Sequence, residues 1–148
     1  MESPADTTLH IVCPDCNTVN RIPKARLDQR PKCGRCNTAL FTGKPAVLTA
    51  ANFRRHVSRN DIPVVIDFWA PWCAPCRMMA PEFEKAAAAM EPGVRLGKVD
   101  TEAERALGAQ FNIRSIPTLA IFRDGREVAR QAGAMRAADI QRFVSANT

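Results

Sequence analysis

Residues 64–76 read VVIDFWAPWCAPC, and this stretch decides the fold. From Val64 to Ala70 the run is almost unbroken apolar sequence, the pattern of a central strand covered on both faces. Asp67 is the exception, and because a buried carboxylate costs free energy its place inside the run calls for a reason. Directly after the strand, Trp72-Cys73-Ala74-Pro75-Cys76 opens a helical run, rich in alanine and methionine, that reaches about Met90 and that Pro81 should kink. A cysteine at a helix N-terminus has its thiolate stabilised by unpaired backbone N–H groups and by the macrodipole, so its pKa falls from ~8.5 toward neutrality. Cys73 is therefore the candidate nucleophile, and Cys76, one turn further in, the more buried thiol. Pro75 suits a first helical turn, where no intrahelical donor is lost.

Working outward, Asn52 can cap a helix running to about Arg59, with Phe53 and Val57 on one face. Residues 94–100 alternate as a strand and 102–111 read as a short amphipathic helix. Residues 118–122 and 127–132 flank Asp124-Gly125, a strong hairpin turn signal. A last helix spans about 136–145, with Ile140, Phe143 and Val144 toward the core. This order implies an α/β domain: a mixed central sheet with helices on both faces. No internal repeat or low-complexity tract is apparent.

The six cysteines stand as three CxxC pairs. Cys13/Cys16 and Cys33/Cys36 are separated by a polar, basic segment of about the length expected for a four-cysteine zinc site, in which two CxxC turns supply the four soft ligands of one tetrahedral ion. Asn17, Gly34 and Asn37 tolerate the left-handed backbone of tight metal-binding turns. A pair of structural disulfides is the competing reading. The residues around these cysteines carry too few apolar side chains for a core of their own, so zinc would be the staple and its removal should unfold the segment. The expected organisation is a zinc-binding module at 1–42, a linker at 43–46 whose brevity keeps the parts close, and the α/β domain at 47–148.

The formal charge of +6 is lowered by about two once four thiolates hold one Zn²⁺. The basic residues Arg21, Lys24, Arg26, Arg30, Lys32 and Arg35 have no aromatic residue among them for stacking on bases, so nucleic acid is not the expected partner. No stretch has the length of a membrane span. The opening MESPADTTLHIV lacks a basic stretch followed by an apolar run, so no secretory leader is expected, and a cytoplasmic location would keep the thiols reduced.

FWAPWCAPC, residues 68–76, resembles the signature of the thioredoxin family, and Ser115-Ile116-Pro117-Thr118 resembles its cis-proline loop. The four-cysteine module ahead of such a domain is similar to a narrower group, the zinc-binding thioredoxin 2 proteins of bacteria. The resemblance implies a thioredoxin fold preceded by a zinc-ribbon-like module, and protein-disulfide reductase activity at Cys73 and Cys76. It implies a cis peptide before Pro117, substrate pairing at the Ile116 backbone, and a buried acid, Asp67, that assists Cys76 and is partnered by Lys98. Trp72, Gly133 and Ala134 match positions bordering the substrate groove. Ala74-Pro75 stands where Gly-Pro is commonest between the cysteines, so a modest shift in redox poise is expected. The implied partners are disulfide-containing proteins and a flavin- and NADPH-dependent thioredoxin reductase.

Other side chains carry plainer expectations. Asp67 could instead be a structural acid paired with Lys98. Trp69 should pack beneath the active site, His56 should lie at the surface or a boundary, Met78 and Met79 should pack, and His10 should not replace a cysteine ligand. Two further functions are consistent with parts of the sequence: a zinc-ribbon adaptor that uses the α/β part as scaffold, and an oxidation-responsive switch that ejects zinc. The ribbon could lie beside the active site or remote from it.

Overall fold

The computed structural model describes residues 7–148; the first six residues, on which part of the expected absence of a secretory leader and of the expected 1–42 module falls, lie outside them. A hairpin of β1 (Thr8–Val12) and β2 (Val19–Pro23) is followed by a short 3-10 turn at Lys24–Arg26. Then come β3 (Ala46–Val47), α1 (Phe53–Arg59), β4 (Val64–Trp69), α2 (Ala74–Met90), β5 (Arg95–Asp100), α3 (Arg105–Gln110), β6 (Thr118–Arg123), β7 (Arg126–Ala132) and α4 (Ala137–Ala146). The larger sheet has the order β3-β5-β4-β6-β7, with β4 central, parallel to β5 and antiparallel to β6. None of the described helices is long and apolar enough to cross a membrane.

Alternation along β4 sorts its side chains between two cores. Val64, Ile66 and Phe68 pack with Phe53, Val57, Leu107 and Phe122 on the α1 and α3 side. Val65 packs with Met79, Phe83, Leu119, Ile121, Ile140 and Val144 on the α2 and α4 side. Period-two geometry therefore turns Asp67 to the α2 side, and the parallel register sets it opposite Lys98 of β5. The hairpin turn has positive φ at both Asp124 (52°) and Gly125 (80°), the requirement that makes Asp-Gly its signal.

Several elements differ from the sequence reading. The hairpin β1/β2 and the two-residue β3 have apolar patterns too short to register. Asn52 sits at the start of α1 without capping it; its Oδ1 instead accepts the Thr49 N–H at 2.7 Å. His56 is fully buried, and Met78 is 74 % exposed while Met79 packs in the core. A second cis peptide, Glu91-Pro92, joins the expected one at Ile116-Pro117.

The ribbon packs against the domain with an apolar cluster separate from the two sheet cores. Ile62, from the α1–β4 loop, is part of the ribbon's apolar cluster with Ile11, Cys13, Cys33 and Leu40. Asn60 Oδ1 accepts the Val12 N–H at 2.8 Å, and the Asp61 N–H donates to the His10 carbonyl at 2.9 Å. His56 Nε2 lies 3.1 Å from Asn17 Oδ1, which also accepts from Asn52 Nδ2. Burial first, then Arg95 and Arg55, push the His56 pKa down to about 4, so this contact is made by a neutral ring.

The largest fully buried side chain among the described residues is Arg95, which is 1 % exposed and pairs with Glu91 at 3.1 Å. Its Nη2 donates to the carbonyls of Val12 (3.1 Å) and Leu40 (2.8 Å), and its guanidinium lies 4.5 Å from the centroid of the Phe41 ring. Glu91 in turn accepts the Gly43 N–H at 2.8 Å. Burial opposes both charges and each partner offsets it for the other. Arg95→Ala leaves a buried carboxylate and two carbonyls unpaired, and should cost ~3–5 kcal/mol in urea unfolding of the metal-loaded chain. A loss below ~1 kcal/mol would show that the ribbon does not depend on this contact.

Candidate active site and metal centre

Strand β4 ends at Trp69, the chain turns through Ala70, Pro71 and Trp72, and Cys73 becomes the N-cap residue of α2. Cys73 Sγ accepts the Cys76 N–H at 3.3 Å, so the helix terminus itself solvates this sulfur. The two cysteines are joined as a disulfide with Cα atoms 5.2 Å apart. Cys73 is 5 % and Cys76 1 % exposed, in a cluster with Ala70, Trp69 and Ile116. The Ile116 carbonyl lies 3.7 Å from Cys73 Sγ, and the peptide that follows it, into Pro117, is cis.

Around this centre Trp72, Ala74, Pro75, Gly133 and Ala134 are exposed. The Gly133 N–H donates to the Pro117 carbonyl at 2.9 Å. A Cβ at Gly133 would meet nothing within 4 Å, so its φ of 102°, rather than crowding, asks for glycine there. The hydrogen bond ties Gly133 to the cis-proline loop beside the dithiol.

Asp67 is 1 % exposed and neither carboxyl oxygen has a hydrogen-bond partner. Burial pushes its pKa up to about 7, against the opposing pull of Lys98. Lys98 is not close enough to form an ion pair with it; its ammonium instead lies 4.3 Å from the centroid of the Trp69 ring. The paired structural acid is therefore not what the geometry contains: Asp67 is desolvated, and Lys98 acts on it through space.

The four remaining cysteines converge in the ribbon, in the apolar cluster that holds Ile11, Leu40 and Ile62. Their Sγ atoms all lie within 4.8 Å of one another, and Cys13–Cys36 and Cys16–Cys33 approach to 3.6 Å. Ligand sulfurs ~2.3 Å from a tetrahedral zinc stand ~3.8 Å apart, so the donor set fits such an ion. Among the described residues no His, Asp or Glu joins the cluster, and His10 is turned away to Asp61.

The two turns are copies of one another, correcting the expectation of no internal repeat. Each reads C-x-x-C-N-T, at 13–18 and at 33–38. In each, the first cysteine donates its N–H to the threonine carbonyl (2.9 and 2.8 Å), and the asparagine N–H returns to the first cysteine's carbonyl (3.0 and 2.9 Å). The asparagines, Asn17 and Asn37, have φ of 64° and 63°, whereas Gly34 does not adopt positive φ. Threonine hydroxyls lie 3.2 Å from Cys16 and Cys36 Sγ, and Asn20 Nδ2 donates to Cys33 Sγ at 3.5 Å. These thiolate donors were not singled out from the sequence, though the repeated Asn-Thr after each pair was the available signal.

Comparison with known proteins agrees with this geometry. The family described as Thioredoxin matches residues 44–146, and the family described as Thioredoxin 2, N-terminal, matches 12–38. Thioredoxin C-3 of Corynebacterium nephridii is 46% identical over 90% of this chain and 92% of its own length. The thioredoxin of Haemophilus influenzae is 40% identical over 64% of this chain and 89% of its own. A mutant thioredoxin from Halobacterium salinarum superposes with a TM-score of 0.65 at 28% identity, covering 73% of this chain and 94% of that one. A fold with a dithiol at the N-terminus of a helix and a cis-proline beside it defines a thiol–disulfide oxidoreductase. This chain belongs to the thioredoxin family, with Cys73 and Cys76 at the active-site position and a four-cysteine, metal-binding ribbon ahead of the domain.

Between about pH 4 and about 7 the folded protein holds a proton on Asp67 that the unfolded chain has released, so the stability it contributes is lost as pH rises through that window. Above it, the ionised acid opposes folding by a few kcal/mol, ~1.4 per pKa unit. Asp67→Asn should therefore raise the melting temperature at about pH 8 and give little or no gain at about pH 4. An equal effect at both would contradict the buried, proton-holding acid.

Proposed function

We propose that the protein reduces disulfides in other proteins through a Cys73 thiolate resolved by Cys76, with zinc held by Cys13, Cys16, Cys33 and Cys36 as a structural ion. The observation that carries this reading is the position of Cys73 as the N-cap of α2, accepting a backbone N–H at its sulfur. In the reduced protein the Cys73 thiolate attacks one sulfur of a substrate disulfide, forming a mixed disulfide and expelling the other sulfur as a thiolate. Asp67 then takes the proton of Cys76, and the Cys76 thiolate attacks Cys73 Sγ, releasing the second substrate thiol. The substrate has gained two electrons and the protein has become the Cys73–Cys76 disulfide.

An acid with a pKa of about 7 supports the proton-accepting role, since a proton can move either way at neutral pH. Lys98 keeps that pKa from rising further. Pro117 and the Ile116 backbone are assigned to align the substrate strand beside Cys73, while Trp72, Ala74, Pro75, Gly133 and Ala134 form the surface it crosses. A four-thiolate zinc site is coordinatively closed, so the ion would hold the ribbon folded and take no part in electron transfer. The reading divides the chain into a zinc module at 1–42, a linker at 43–46 and a thioredoxin domain at 47–148. Regeneration would fall to a flavin- and NADPH-dependent thioredoxin reductase, in the cytoplasm.

Insulin reduction driven by dithiothreitol tests this directly. Wild type should accelerate it, Cys73→Ser should abolish turnover, and Cys33→Ser should lose metal and only part of the activity. An inactive wild type in its metal-loaded, reduced form would refute the reductase reading.

A further inference from the structure

Beside the dithiol lies a cleft of about 390 Å³ between Trp72 and α3, lined by Thr101, Arg105, Gly108, Arg114 and Ile116 among others. Its only charged lining residues are Arg105 and Arg114, both exposed. Among the described residues neither forms an ion pair, and the one side-chain bond of Arg114 is a long one of 3.4 Å to Asn112 Oδ1. Of the acids near the base of α3, Glu102 is exposed and forms no ion pair with Arg105, and the other two accept backbone N–H groups. Asp100 Oδ1 accepts the N–H groups of Glu102 and Ala103, and Glu104 Oε1 accepts that of Ala50. By contrast, Arg130, the neighbouring arginine on β7, is neutralised by Glu127 at 2.6 Å. Two guanidiniums without a paired carboxylate among the described residues thus line a cavity whose end, Ile116, touches the reactive sulfur.

A guanidinium presents a planar fork of donors matched to a carboxylate, and the exposed Trp72 ring, 66 % accessible, supplies an apolar wall beside them. Resting on the reductase reading above, we propose that this cleft receives an acidic side chain from the substrate polypeptide, close in sequence to the cysteine under attack. Arg105 and Arg114 are then specificity-determining residues that favour disulfides flanked by glutamate or aspartate. Exposed pairs are individually weak, so selection should be modest and salt-sensitive, on the order of three- to tenfold in rate constant.

The experiment is single-turnover oxidation of the pre-reduced, zinc-loaded full chain by disulfide peptides identical except for two flanking residues: Glu-Glu, Gln-Gln or Lys-Lys. The readout is the ratio of second-order rate constants, in which any general change in activity cancels. Wild type should prefer the Glu-Glu peptide over Gln-Gln by the stated factor at low salt, and lose most of the preference at high salt. The Arg105→Gln/Arg114→Gln variant should bring the ratio to about one, and Arg105→Glu/Arg114→Glu should turn the preference toward Lys-Lys. Equal wild-type rates with all peptides, or a preference that survives both variants, would overturn the proposal and leave the reductase standing. No reaction with the Gln-Gln or any other peptide would instead remove the reductase reading, and this inference with it.

Discussion

Strand β4 has almost no surface to offer water: Val64, Val65, Ile66, Phe68 and Asp67 are all at 1 % exposure or less. A strand in that position needs a strand on each edge and a helix layer on each face, and β5, β6, α1 with α3, and α2 with α4 are that cover. To cover the second face the chain must turn at the end of β4 and start back as α2. The redox pair sits at that turn, so the helix terminus that solvates Cys73 follows from the same requirement that buries the sheet. Burying β4 on both faces also desolvates Asp67, which period two turns toward the α2 side.

The ribbon is tied to the domain by several contacts of its own. Its apolar cluster is completed by Ile62, its hairpin is bonded by Asn60 and Asp61, and two of its carbonyls are held by Arg95. The Arg95–Glu91 pair stands where α2 ends and β5 begins, a helix length from Cys73. A buried ion pair adds little net stability against an apolar alternative, yet breaking it is costly, so it specifies how the ribbon docks more than how strongly. Among the described residues, the cleft beside Trp72 has no ribbon residue in its lining.

Features governed by local chemistry were legible before the structure was known. An apolar run too continuous for a half-wet strand identified β4, Asp-Gly identified the β6–β7 turn, and CxxC at the end of β4 located the reactive sulfur. The four ribbon cysteines could be grouped because a pair alone makes half a metal site. What escaped reading depends on tertiary neighbours. Arg95, flanked by Val94 and Leu96, has the alternation of a solvent-facing residue, and only the docked ribbon buries it. His56 lies three residues from Phe53 on the inner side of α1, but its burial needs Asn17 from the ribbon as partner. Asn52 has the identity of a cap and spends its side chain on Thr49 instead. Arg105 and Arg114 carry no motif; their meaning comes from the absence, among the described residues, of an acid paired with them once the chain is folded.

The most direct test of the whole account is to trap the first covalent intermediate. Cys76→Ser removes the resolving thiol, so the metal-loaded variant, mixed with a disulfide-containing protein, should accumulate a one-to-one adduct through Cys73, reversible by dithiothreitol and located by peptide mass spectrometry. An adduct carried instead by Cys13, Cys16, Cys33 or Cys36, or no adduct at all, would contradict a dithiol that reacts at the helix N-terminus while the ribbon thiolates stay bound to their metal.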